Sequence, residues 1–535
     1  MRRPRRRAAR LGLLAEGAAS RFGDQPITLD RPLDISPSAG TALCYAQLAE
    51  LVEEASGWLQ KAGVRPGDRV AVWKRNHLDL QVLACAAARI GAVPALLAGA
   101  LPAATAAVLL ERLDLPTLVS DVSRLGSWPR ELPAPAALAS RVLTVDGEAP
   151  DTIPLADLRG APSPPATPCR DDEPMVITHT SGTTGTPKLV QHSAATIGAL
   201  AAVESRQLPV LRLRRDDHVG LALSWAHGRV VTGLVALCAL GCSVMALSEW
   251  DHEVVRRAFG ARRPTVVETH PNIYLHWEPL AADPAGLFAD VRVFMNTFDA
   301  IHPRTIRTFL GASRRRLAVW GQGWGQSEAG PVCGRVYTRR SVRRRGSRHP
   351  VTRSVGRPLP FLAKLRVMDQ VTGEPLARGE VGLLEVLTPG LTLGYVGERE
   401  RWQSKRRGDW WNMGDLGVRT RLGTVRLLDR EVDQIPGISG IELEDVLLDR
   451  FPAASEIVVL GVPDSLPVPV VSTHGDAPLD PAAWAAAVEG LPPLAAPVHL
   501  PWAEVPRTST WKVRRPDLKR QLFGEASTLG SGRWT

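Results

Sequence analysis

Along the first third of the chain the spacing of apolar residues alternates between helical and strand-like patterns. Leu48, Leu51, Val52, Ala55 and Leu59 fall on one helical face, and Gly63 ends the segment. Arg65-Pro66-Gly67-Asp68 has turn chemistry, and the apolar run Val70–Trp73 that follows predicts a strand. A second helix is predicted over Asp79–Ile90, stopped by Gly91, with another strand over Val93–Leu97. Strand, helix and strand at this spacing indicate parallel crossovers, so the fold class is α/β. Val230–Leu247 is the most membrane-like run, but Gly233 and Gly241 interrupt it. It reads as a buried helix over Val230–Leu240, a glycine stop and a core strand over Cys242–Leu247, and no membrane span is expected. Further strands are predicted at Met175–Ile177 and Leu317–Trp320, with β-rich segments at Gly379–Leu384 and Gly423–Leu428. Past Asp429-Arg430 the pattern restarts as a small α/β unit of domain size. The predicted division is therefore 1–429 and 430–535.

Composition narrows the class without naming a chemistry. A chain of 535 residues with 44% hydrophobic and 22% charged positions is that of a soluble protein of several domains. Its six cysteines include no Cys-x-x-Cys pair and no zinc spacing, and Met1-Arg-Arg-Pro-Arg-Arg-Arg leads into no apolar signal segment. A reduced, cytoplasmic setting is expected. The net charge of +10 is clustered at Arg2–Arg10, Arg314–Arg316 and Arg339–Arg345. No aromatic interleaving accompanies these clusters, so they read as solvated loops and no nucleic-acid partner is expected.

Candidate chemistry begins at Thr180-Ser181-Gly182-Thr183-Thr184-Gly185-Thr186-Pro187-Lys188, directly after the strand-like run at 175–177. Glycines permit positive φ and close backbone approach, the hydroxyls add donors and Lys188 adds a compact positive charge, a combination suited to a polyphosphate. The spacing is not that of a Walker A loop, since Thr186-Pro187 separate Gly185 from Lys188 and Leu189 follows the lysine. Farther along, Gly323-Trp324-Gly325-Gln326-Ser327-Glu328 places an aromatic between glycines, where a flat ring can lie against backbone. The carboxylate of Glu328 just beyond is the kind of ligand Mg²⁺ takes along with phosphate oxygens.

These segments resemble motifs of the adenylate-forming superfamily of acyl-CoA synthetases, luciferases and peptide-synthetase adenylation domains. Thr180–Lys188 resembles its phosphate loop, and Gly323–Glu328 its Gly-Tyr-Gly-x-Thr-Glu segment, with Trp324 for tyrosine and Ser327 for threonine. Trp411-Asn412-Met413-Gly414-Asp415 is similar to the Tyr-x-Thr-Gly-Asp motif, and Asp429-Arg430-Glu431-Val432-Asp433 to the Gly-Arg-x-Asp-Asp hinge. Pro506–Arg515 resembles Pro-Arg-Thr-x-x-Gly-Lys-x-x-Arg, with Trp511 in place of the glycine before Lys512. The opening segments around Tyr45, Arg65–Asp68 and Arg89–Pro94 are similar as well.

The resemblance implies a large N-terminal domain of packed sheets with helices and a small mobile C-terminal lid. It implies ATP and Mg²⁺, a carboxylic acid substrate, an acyl-adenylate intermediate and transfer to a thiol, CoA being the first expectation. By the same resemblance Glu328 holds the metal, Asp415 and Arg430 contact ribose or phosphate, and Lys512 is catalytic. His227, in Trp225-Ala226-His227-Gly228, lines an acyl pocket or is a satisfied core histidine. Met295-Asn296-Thr297-Phe298-Asp299-Ala300 replaces a Gly-Gly-Ala-like turn against adenine and acyl group, so Phe298 narrows that wall. Pro436–Gly440 replaces the Lys-x-x-Gly stretch that borders the thiol's approach. Two alternatives therefore stand beside CoA ligation: an acyl-AMP ligase serving a phosphopantetheine carrier protein or an amine, and a nucleotide-binding homologue without turnover.

Overall fold

The computed structural model describes residues 8–182, 185–205, 211–343, 351–430, 439–462 and 465–524. Arg2–Arg7, Thr183, Thr184, Arg344, Arg345 and the hinge positions 431–438 lie outside the described residues. The chain is mixed α/β and groups into two compact units. One holds Met1–Glu268, Ser327–Gly330 and Thr388–Ser404; the other holds Thr269–Gln326, Pro331–Leu387 and Lys405–Thr535.

The first unit contains an eight-stranded sheet in the order Gly394–Tyr395, Leu189–Ser193, Pro174–His179, Val93–Ala98, Arg69–Lys74, Thr117–Ser120, Arg141–Thr144 and Ile153–Pro154. The strands from Pro174–His179 onward in that order pair in parallel, as the early periodicity predicts. The helix Asp79–Arg89 is buried at all its positions, which is why its sequence shows a continuous apolar run rather than a stripe. The membrane-like run resolves as read: helix Gly228–Leu240, Gly241 at φ +68° as the left-handed cap, then strand Ser243–Ala246. That strand lies parallel to both His218–Ala222 and Pro26–Leu29. Among the described residues no helix is long and apolar enough to cross a membrane.

In the second unit, Val293–Asn296 pairs in parallel with Val319–Gln326. An antiparallel set follows in the order Ser354–Pro358, Val425–Arg430, Trp410–Arg419, Val381–Leu387 and Lys364–Met368. One expectation needs correcting. The strand predicted at Leu317–Trp320 starts at Val319 and continues to Gln326, so the glycine-tryptophan segment belongs to the strand itself. Leu317 itself is 82% exposed. The C-terminal part carries helix Gly440–Arg450 packed on the antiparallel pair Ala454–Leu460 and Val468–Thr473.

Candidate functional site

The predicted residues fall into two groups, one in each unit. In the first unit the phosphate-type loop joins two antiparallel strands, Pro174–His179 and Leu189–Ser193. Its neck is closed by the Thr180 amide donating to the Lys188 carbonyl (3.0 Å) and the Lys188 amide donating to Thr180 Oγ1 (3.0 Å). Gly182 has φ +67°, and a Cβ there would stand 2.8 Å from Pro187 and 2.9 Å from the Gly185 carbonyl. The loop can fold back on itself because this position has no side chain. Ser181 lies in the described arm of the loop; Thr183 and Thr184 do not.

Lys188 Nζ stands 5.6 Å from the centre of the Tyr395 ring. The Tyr395 hydroxyl donates to Glu328 Oε1 at 2.5 Å. Glu328 is buried, and its carbonyl accepts from the Thr392 amide at 2.9 Å. Burial, reinforced by the Glu328 charge, pushes the Tyr395 phenol well above its ordinary pKa, so it stays a donor. Arg112 braces the same corner, donating to the Pro187 carbonyl (3.2 Å) and to Glu398 (2.8 Å). Neither Tyr395 nor Arg112 is a sequence candidate; the pair Gly394-Tyr395 after an apolar turn was the available signal for the first.

His227 caps the helix Gly228–Leu240, its Nδ1 accepting from the Arg229 amide at 3.0 Å. An accepting Nδ1 leaves the proton of the neutral ring on Nε2, which lies 3.4 Å from Ser327 Oγ. His227 is therefore half-buried and does structural work as an N-cap, with its other nitrogen turned to the residue before Glu328. The helix starts close to the loop's strand. A Cβ on Gly228 would meet Thr178 Oγ1 at 3.3 Å and His192 Nε2 at 3.6 Å. Burial alone pulls His192 down to about 4, so that ring is neutral at physiological pH.

In the second unit, strand Val319–Gln326 ends in Gly323, Trp324, Gly325 and Gln326. Gln326 Nε2 donates to the Met413 carbonyl, and Trp411 Nε1 donates back to Gln326 Oε1 at 3.1 Å. This ties the glycine-tryptophan segment to the strand Trp410–Arg419, on which Asp415 is a buried ladder residue paired with Arg430. Gly414, just before it, has φ +69° and its amide is held by Asn412 Oδ1 at 2.7 Å.

Lys512 sits on a short loop closed by the Thr508 amide donating to the Lys512 carbonyl (2.8 Å) and the Lys512 amide donating to Thr508 Oγ1 (3.2 Å). Trp511 adopts φ +61°, stacks on Trp502 at 5.1 Å, and its carbonyl accepts from Asn272 Nδ2 at 2.9 Å. Arg507 lies over the Trp502 ring and donates to the buried Glu456 at 2.7 Å. Burial first, then the charge of Lys512, pulls the fully buried His270 down to about 3. His270 also contacts Phe298, with ring centres 4.3 Å apart. Among the described residues no three His, Cys, Asp or Glu converge as a metal cluster. Glu328, a single buried carboxylate beside a phosphate-type loop, suits a cation that takes its other ligands from phosphate and water.

The chain is similar to known proteins over most of its length. The AMP-binding enzyme family model matches residues 15–396. The chain is 40% identical over 540 residues to 3-amino-2-hydroxy-4-methoxybenzoate diazotase of Streptomyces cremeus, an alignment covering 97% of this chain and 96% of that protein. It is 30% identical to a feruloyl-CoA synthase of an Amycolatopsis species, over 79% of this chain and 82% of that one. In fold it is similar to ATP-bound MatB from Rhodopseudomonas palustris, with a TM-score of 0.77 at 23% identity, covering 97% of this chain and 100% of the other. With the family match over residues 15–396 and 40% identity to a relative over nearly its full length, this chain belongs to the AMP-binding enzyme family.

Proposed function

We propose that the protein uses ATP to adenylate a small oxyanion, releasing pyrophosphate, and passes the activated group to the nitrogen of an aromatic amine, giving a diazonium product. The observation that carries this reading is the 40% identity, over nearly the full length of both chains, to a benzoate diazotase. Turning an amine into a diazonium ion needs a second nitrogen at the oxidation level of nitrous acid, and the oxyanion at that level is nitrite. A nitrite oxygen attacks the α-phosphate of ATP, the bond to pyrophosphate breaks, and a nitrosyl adenylate forms. The amine nitrogen then attacks the nitroso nitrogen; the N–N bond forms as the N–O bond to AMP breaks and one proton leaves. The resulting N-nitrosamine tautomerises to a diazohydroxide, takes up a proton and loses water. No outside oxidant or reductant is needed.

In this reading Thr180, Ser181, Gly182, Thr183, Thr184, Gly185 and Lys188 bind the phosphates. Gly323, Trp324, Gly325, Gln326 and Ser327 pack on adenine, and Asp415 with Arg430 takes the ribose. Glu328 would hold Mg²⁺, which supplies positive charge to the phosphate oxygens. Lys512, on the small C-terminal part (430–535), offsets the repulsion between oxyanion and α-phosphate, where position and charge do most of the catalysis. The neutral state of His270 supports that role, because a second cation there would depress the lysine.

A second reading, acid–thiol ligation onto CoA or a carrier phosphopantetheine, is favoured by the identity to feruloyl-CoA synthase. The two separate cleanly at neutral pH. ATP–pyrophosphate exchange is measured with nitrite or with hydroxycinnamic acids, and products are sought with an aminophenol (trapped as an azo dye) or with CoA. Nitrite-dependent exchange and ATP-dependent dye formation are expected. Thioester formation without nitrite-dependent exchange would overturn the proposal in favour of the second reading, and no exchange with any acid would indicate a binding protein.

A further inference from the structure

Seven non-glycine residues have positive φ among the described residues, and two of them, Phe298 and Trp511, contact the start of the same helix, Pro271–His276. Phe298 is the more strained setting. Its φ is +79°, and the Asp299 amide donates to the Thr297 carbonyl at 3.0 Å, closing a three-residue turn around it. A γ-turn with positive φ is the rare, strained form, and a bulky residue in it costs on the order of 1–3 kcal/mol. The surroundings enforce it. Trp320 Nε1 donates to Asn296 Oδ1 at 2.7 Å, and Asn296 Nδ2 reaches the Asp299 carbonyl at 3.4 Å. Thr297 lies so near Gly323 that a Cβ there would stand 3.2 Å from its methyl group.

Glycine would hold this turn without strain, so the ring is what the strain maintains. The ring is half-buried and braced on His270, the fully buried cap of helix Pro271–His276, and Asn272 on the first turn of that helix donates to the Trp511 carbonyl, next to Lys512, at 2.9 Å. It therefore stands, uncharged, in the neighbourhood of the lysine assigned to the oxyanion.

We propose that Phe298, braced on His270, sets the size limit of the acid presented to Lys512: its phenyl ring takes the space that the organic group of a larger acid would need, so that only a small oxyanion is adenylated, while the aromatic amine that receives the activated group is not subject to this limit. The inference rests on the adenylation reading above and gives it a substrate class. The ring removed in Phe298→Gly is the size of the ring in benzoate, so that variant is the natural probe. Relief of the left-handed strain offsets the lost packing and the added chain entropy, and the variant is expected to fold. Phe298→Asn is a second probe, since asparagine tolerates positive φ and carries no ring.

The test is ATP–pyrophosphate exchange with nitrite, formate, acetate and benzoate for the full-length parent and both variants, with thermal melts as the folding control. The parent is expected to favour the small acids, and both variants to raise the benzoate-to-nitrite or benzoate-to-formate ratio of kcat/KM by at least about tenfold, the discrimination typical of a shaped apolar pocket. A parent that accepts benzoate as readily as the small acids, or folded variants with an unchanged ratio, would overturn the proposal. Parent exchange with formate and acetate but not nitrite would instead defeat the diazotase reading and leave the size limit standing on the ratio with formate.

Discussion

Arg229→Met perturbs a buried charge cluster whose magnitude can be worked from geometry. Arg229 follows the cap residue His227 and makes three charged hydrogen bonds: Nε to Glu268 Oε1 (2.7 Å), Nη2 to Glu268 Oε2 (2.6 Å) and Nη1 to Glu204 Oε1 (2.6 Å). Side-chain exposure is 12% for the arginine, 18% for Glu204 and 4% for Glu268. Burial pulls the guanidinium down, but the two carboxylates more than offset it and hold the cation. For Glu204 burial dominates over the attraction of Arg229, with Glu268 adding repulsion, and its carboxyl is pushed up from 4.5. Methionine keeps the length and packing of the side chain while leaving two buried carboxylates without a cation. Breaking a buried pair in this way costs about 3–5 kcal/mol.

The pH dependence follows from the sign of the shift. In the variant the guanidinium no longer opposes the burial that already raises the Glu204 carboxyl, so its folded pKa stands above the unfolded value of about 4.3 and folding takes up protons. The deficit is therefore full at pH 8, shrinks as pH falls through the raised value and closes below the unfolded pKa. Because the chain has two units, one global unfolding energy is not well defined, and amide hydrogen exchange over Gly228–Leu240 is the suitable local readout. A loss of protection of about 3–5 kcal/mol at pH 8, smaller at pH 5, is expected. Adding Glu204→Gln and Glu268→Gln to the variant should restore most of it, since the cost lies in uncompensated charge. A loss below about 1 kcal/mol at pH 8, or one equal at both pH values, would refute the reasoning.

Lys512→Ala is expected to lower oxyanion-dependent ATP–pyrophosphate exchange about 10²–10³-fold with nucleotide affinity little changed in a binding titration; exchange within tenfold of the parent would remove the lysine from the chemistry. Tyr395→Phe deletes the 2.5 Å bond to Glu328, a charged hydrogen bond of about 1.5–3 kcal/mol. The Mg²⁺ concentration for half-maximal exchange should then rise about tenfold or more, and an unchanged Mg²⁺ curve would make the bond purely architectural. His302 lies 2.5 Å from Asp445, whose other oxygen accepts from Thr352 at 2.7 Å. Burial opposes its protonation, but Asp445 more than offsets this and the pKa rises above 6.5. Its stabilisation is thus fully present below pH 6.5 and lost as pH rises through the raised value, a slope in the thermal midpoint that His302→Gln should abolish.

Local sequence signals served where the structure depends on neighbours in the chain. Gly241 ends a buried helix because its left-handed φ needs no partner far away, and Gly182 folds the loop for the same reason. Gly323–Gln326 looks like a loop by composition, yet pairing with Val293–Asn296 and the bonds of Gln326 to Trp411 and Met413 draw it into a strand. The local pair Gly394-Tyr395 does not disclose the role of Tyr395, which depends on a glutamate 67 positions away, and Arg229 carries no local signal because its partners lie 25 and 39 positions off. A turn is written in a few adjacent residues; a hydrogen-bonded carboxylate is not.

Phe298 and Trp511 share one device, a left-handed main-chain path fixed by groups other than the residue's own side chain. Each keeps a left-handed φ that glycine adopts freely, and each is pinned by bonds outside its own side chain: Asn296 and Trp320 around the first, Asn272 and Thr508 around the second. Because the main-chain path is set by those bonds, a ring can be added at either position for the cost of local strain rather than a new loop geometry. Both rings are aromatic, both pack on aromatic or imidazole partners, and both lie next to residues that touch or sense Lys512. The lysine's charge and the phosphate loop can stay as the family reaction needs them. On the proposed reading, the two rings act on the space and polarity around the lysine, and through them on which acid it meets.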